Sequence, residues 1–68
     1  MTPSDLTALR TRLRLSQAEL SRALRVERST VMRWEDGTMQ IREPVPLLLE
    51  LVERFPDAAE YVIGRACG

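Results

Sequence analysis

Ten arginines carry all the positive side-chain charge of this 68-residue chain; lysine and histidine are absent. A guanidinium is a planar, permanently charged fork that fits phosphate oxygens and the O6/N7 edge of guanine. Three residues stand out by their spacing. Arg28, Ser29 and Arg33 fall opposite Val31 and Trp34 on a 3.6-residue period, so burial of the last two would project the first three outward together. The absence of histidine removes the usual general base. With a single cysteine, Cys67, nearly every transition-metal site is lost as well. Paired catalytic carboxylates and a glycine-rich phosphate loop are also missing. The expectation is a binding protein and not an enzyme, with no cofactor, no metal and no small-molecule ligand.

The net charge is zero, but it is divided. Residues 1–42 hold eight arginines against five acids, or +3; residues 43–68 hold two against five, or −3. Such a division suits one surface that attracts phosphate and another that does not. At 68 residues one domain is expected, spanning 1–68, with a marginal core that a partner chain would help. No apolar run is long enough to span a membrane, so no membrane is expected as a partner. The first ten residues do not read as a secretory signal, and one cysteine suits a reducing cytoplasm.

The elements that must position these residues read as five short helices, an all-α fold. Thr2 can cap the first, with Pro3 in its first turn and Asp5 completing a capping box. Leu6, Leu9 and Leu13 then share a face. Ser16 and Glu19 form a second capping box, and Leu20, Ala23 and Leu24 make the apolar face behind it. A third helix runs roughly from Arg28 to Asp36, stopped by Gly37 in the left-handed conformation. After a loop from Thr38 to Glu43, Pro44 or Pro46 opens a fourth helix through Leu47, Leu48, Leu51, Val52 and Phe55. Pro56 ends it, and Asp57 can cap a fifth carrying Ala58, Tyr61 and Val62.

The second and third helices, about 16–36, have helix-turn-helix spacing. From Leu15 to Gly37 the chain reads LSQAELSRALRVERSTVMRWEDG. This stretch strongly resembles the Cro and lambda-repressor-like family of phage and bacterial regulators, whose pattern there is LSQxELAxxLGVSxxTVxxWExG. The resemblance implies a compact five-helix DNA-binding domain. It implies base contacts in the major groove from Arg28, Ser29 and Arg33, and phosphate contacts from Gln17, Thr30, Thr38, Gln40 and Arg42. Met32, Arg14 and Arg25 would stand at the rim. Ala18, Leu20, Leu24, Val26, Val31 and Trp34 match core positions. Arg10 and Glu35 match positions that the family often joins in an ion pair. Three departures stand out. Arg25 and Arg14 replace turn glycines, so a left-handed backbone would cost about 1 kcal/mol there or a different turn is used. Glu27 stands where a serine, threonine or aspartate usually caps the third helix.

The function so implied is sequence-specific binding of double-stranded DNA by a small dimeric repressor, an autoregulator in a bacterial or phage-infected cytoplasm. A palindromic operator would be read by a homodimer with its two recognition helices about 34 Å apart. The expected dimer contact is the C-terminal segment, about 57–68, through Tyr61, Val62, Ile63 and Ala66. The competing class is an antitoxin-type interaction module that neutralises a basic partner protein with the acidic C-terminal helices.

Overall fold

The computed structural model describes residues 1–67. Five helices follow one another: α1 (Pro3–Arg12), α2 (Gln17–Leu24), α3 (Arg28–Asp36), α4 (Val45–Arg54) and α5 (Pro56–Cys67). No strand occurs among the described residues. Both capping boxes form. The Thr2 hydroxyl accepts the Asp5 N–H at 3.1 Å, and the Asp5 carboxylate accepts the Thr2 N–H at 3.0 Å. Ser16 and Glu19 repeat the exchange at 3.0 and 2.8 Å. α3 starts without such help, because the Glu27 side chain makes no capping bond.

The turns before α2 and α3 keep the left-handed backbone with arginine in place of glycine. Arg14 and Arg25 both have φ of 59°. At each, two N–H groups fold back on the preceding helix: Arg14 to Thr11 and Leu15 to Arg10, then Arg25 to Arg22 and Val26 to Ser21. These bonds satisfy helix-end carbonyls, which offsets a left-handed penalty of about 1–2 kcal/mol per arginine. Gly37 closes α3 at φ of 84°.

α2 lies at the centre, packed on both α3 and α5, while α1 covers α3 and α4 covers α5. One contiguous core draws on all five helices, from Leu6 and Leu9 through Leu20, Val31 and Trp34 to Leu49, Val52, Val62 and Ala66. The Cα radius of gyration is 10.8 Å, close to the roughly 11 Å of a globular chain of this length, so no helix splays away. Among the described residues no helix is long and apolar enough to cross a membrane. Two arginines fasten α2 to α5. Arg22 donates to the Ala66 carbonyl and Arg65 to the Ala23 carbonyl, each at 2.8 Å, so each helix supplies a cation to the other's C-terminal carbonyls.

The structure sets the phase of α4 and corrects two expectations about α5. α4 buries Leu49 and Val52, while Leu47, Leu48, Leu51 and Phe55 face outward. The reason is a helix apolar around most of its circumference, whose phase α5 decides. In α5, Val62 and Ala66 are buried in the chain's own core, at 9% and 0% exposure, so they are not free to meet a partner chain; Ile63 is half-buried and only Tyr61 stands out. Finally, Pro56 is the first residue of α5 and Asp57 lies in its first turn, so Asp57 is not the cap.

Candidate nucleic-acid interface

α3 buries Val31 completely and Trp34 almost so. With those two turned inward, Arg28, Met32 and Arg33 are exposed and Ser29 and Thr30 half-buried. The Ser29 hydroxyl donates to Glu27 at 3.4 Å, across the start of the helix. In the loop after α3, Thr38, Gln40 and Arg42 come together with Trp34 and Met39 around one shallow groove. The Asp36 carboxylate accepts the Thr38 N–H at 2.8 Å and fixes the entry to that loop. Hydrogen bonding from the Thr38 side chain first, then from its N–H, with the charge of Arg33 nearby, holds the Asp36 carboxyl below its ordinary range.

Glu35 joins three helices. Arg10 reaches it from α1 as a two-pronged fork, Nε to Oε2 at 2.7 Å and Nη2 to Oε1 at 3.0 Å. The Thr7 hydroxyl donates to the same carboxylate at 3.0 Å, and the Gln17 amide from α2 at 3.3 Å. A third nitrogen of Arg10 donates to the Leu15 carbonyl at 2.9 Å, tying in the α1–α2 turn. The two side chains retain only 18% and 8% exposure. Burial pushes the Glu35 carboxyl up, but the bonds from Arg10, Thr7 and Gln17 outweigh it and the net pKa is lowered. The expected Arg10–Glu35 pair is therefore present, and it sets the angle of α3 against α1. Gln17, expected to meet phosphate, spends one amide N–H on Glu35 and keeps the other, since an amide nitrogen carries two.

The arginines divide into two sets. Arg10, Arg12 and Arg54 pair with Glu35, Glu53 and Glu50, and Arg22 and Arg65 serve helix carbonyls. Arg14, Arg25, Arg28, Arg33 and Arg42 have no carboxylate within 4.0 Å among the described residues, and all five are exposed. Four of them stand on α3 or on the turns that enter and leave it, and Arg14 stands in the turn before α2. The free positive charge is thus attached to α3, its neighbouring turns and the turn before α2, while the acidic C-terminal half leaves none of its arginines unengaged. No group of three or more acidic or cysteine side chains that could hold a metal occurs among the described residues.

No protein-family model, curated protein or solved structure matches the chain.

Sequence reasoning missed Thr7 and the Arg22–Arg65 exchange. Thr7 lies one turn before Arg10 on α1, a spacing that could have suggested it as a further donor to whatever Arg10 binds. The two bonds of the Arg22–Arg65 exchange join each arginine to a backbone carbonyl 44 and 42 positions away, and nothing in the residue types signals them.

Proposed function

We propose that this chain is a lambda-repressor-like helix-turn-helix protein that binds double-stranded DNA with α3 in the major groove, as a dimeric repressor of its own transcription unit. The observation that carries this reading is the division of the arginines: of the five that neither a carboxylate nor a helix carbonyl engages, four flank or occupy α3 and the fifth, Arg14, stands in the turn before α2. Arg28 and Ser29, at the start of α3, enter the groove first, and Arg33 reaches a base one turn later. A bidentate arginine on guanine is worth about 1–3 kcal/mol of discrimination. Thr38, Gln40 and Arg42 grip the backbone beside the groove, with Thr30 on the near side of α3 and Met32, Arg14 and Arg25 at the rim. At the start of α2, the capping box occupies the N–H of Glu19 and leaves those of Gln17 and Ala18 pointing out, where a helix N-terminus favours an anion. The second amide N–H of Gln17 joins them, so one phosphate meets several donors while Glu35 keeps the side chain in place.

The test is binding selection from a pool of random-sequence duplexes, at two salt concentrations. The reading expects enrichment of a short motif repeated with two-fold symmetry, its half-sites about one helical turn apart. A pool that stays random after repeated rounds would overturn it.

A further inference from the structure

α4 presents an apolar stripe to solvent that the chain's own core does not use. Leu47, Leu48, Leu51 and Phe55 are 54%, 44%, 42% and 55% exposed. On a helical wheel they fall within an arc of about 100°, next to the arc that buries Leu49 and Val52. Tyr61 of α5, 61% exposed, extends the stripe; it and Leu48 line one groove together with Leu24 and Arg65. Glu50 and Arg54 border the stripe on its other side, joined within the helix at 3.8 Å and both largely exposed.

We propose that this stripe is the seam of a two-fold dimer in which α4 packs antiparallel on α4 of a second copy, with the axis beside Leu51. Three features single out a second copy as the occupant. The stripe is self-complementary about that axis: Leu51 meets the partner's Leu51, and Leu47 meets the partner's Phe55. The flanking charges are self-complementary too. In an antiparallel pair the same flank of each helix comes together, so Glu50 faces the partner's Arg54 and Arg54 the partner's Glu50, about an axis within one residue of the first. Lastly, the area fits. The five side chains expose on the order of 550 Å², and an interface of about 800 Å² per partner at about 65% apolar uses roughly that much. The seam replaces the contact expected at Val62 and Ala66. It does not depend on DNA binding, and it supplies the second copy that a palindromic site requires.

Sedimentation equilibrium of the DNA-free chain tests it at micromolar concentration. The wild type is expected at twice the chain mass, with Leu51→Glu and Phe55→Glu monomeric and still helical by circular dichroism. Glu50→Arg, which gathers four arginines on one flank of the seam, is expected to weaken the dimer by about tenfold, and E50R/R54E to restore it. Should the glutamate variants unfold, a mixed sample of isotope-labelled and unlabelled wild type decides: Phe55 ring protons are expected to contact Leu47 methyls between chains. A monomeric wild type, a mass above the dimer, a dimer indifferent to Leu51→Glu and E50R, or intermolecular contacts elsewhere would overturn the proposal. All of these are read without DNA, so a failed seam and a failed DNA-binding reading give separate results.

Discussion

Glu35 is the residue on which the orientation of α3 depends. Its two oxygens accept from α1 and α2 simultaneously, and Glu35→Gln would leave Arg10 a buried cation facing an amide. Breaking a fully buried pair costs about 3–5 kcal/mol; with Arg10 still partly exposed, about 2–3 kcal/mol is expected here. For a chain of this size that lowers the thermal midpoint by at least about 8 °C in a calorimetric or circular-dichroism melt. The acid dependence has a definite sign. The folded pKa of Glu35 is below its unfolded value, so its contribution is fully present above about pH 4.3 and is lost as pH falls through the lowered value. Glu35→Gln is therefore expected to flatten the stability–pH curve below pH 4 in chemical denaturation. At Arg14 and Arg25 the expectation is reversed. Both hold φ of 59°, and Arg25→Gly relieves the strain at some cost in unfolded-chain entropy. A net gain of about 0.5–1 kcal/mol is expected in urea unfolding; a loss would mean that the arginine side chain stabilises the turn more than its backbone strains it.

Among the elements, α1, α2 and α3 were legible because their ends carry chemistry. Thr2 with Asp5, Ser16 with Glu19, and Gly37 each satisfy or terminate a specific set of backbone groups, and all three act as the residue types predict. The inward phase of α3 was legible for a related reason: Val31 and Trp34 are its only large non-polar residues besides Met32. α4 offers no such contrast. With Val45, Pro46, Leu47, Leu48, Leu49, Leu51, Val52 and Phe55 on its circumference, several inward phases satisfy the pattern, and packing on α5 selects Leu49 and Val52. The missing cap on α3 gives a direct test at this scale. Glu27 has too long a side chain to fold back on the third N–H, and Glu27→Asp shortens it by one methylene. A gain of about 0.5–1 kcal/mol is expected by urea unfolding. No gain would show that Ser29, already bonded to Glu27, takes up the shorter carboxylate instead.

At the scale of the whole molecule, the neutral net charge conceals a separation that the sequence already displays, +3 before Glu43 and −3 from Glu43 onward. Which arginines remain free was not legible, since Arg10, Arg12 and Arg22 belong to the basic half yet are engaged by α3, α4 and α5. The Arg10–Glu35 pair was legible only through resemblance, for no spacing rule joins residues 25 positions apart. Of the candidate DNA contacts, Thr38, Gln40 and Arg42 of the loop after α3 are brought together around one groove; the C-terminal dimer contact does not form as expected, because Val62 and Ala66 are consumed by the core. The central proposal is that the arginines engaged by neither a carboxylate nor a helix carbonyl are the ones that meet DNA. It is tested most directly by fluorescence-anisotropy titration of the selected duplex and a scrambled one, comparing wild type with Arg28→Ala, Arg33→Ala, Arg42→Ala and Arg12→Ala. Arg12 supplies the control, because it carries the same charge but is paired with Glu53. The account predicts that losing Arg28 or Arg33 costs about 1–3 kcal/mol on the selected duplex and relaxes preference at one base pair. It predicts that losing Arg42 weakens both duplexes alike and lowers the salt slope by about one, and that losing Arg12 changes affinity less than about twofold. Equal losses from all four variants on both duplexes would contradict it, reducing the arginines to undirected charge.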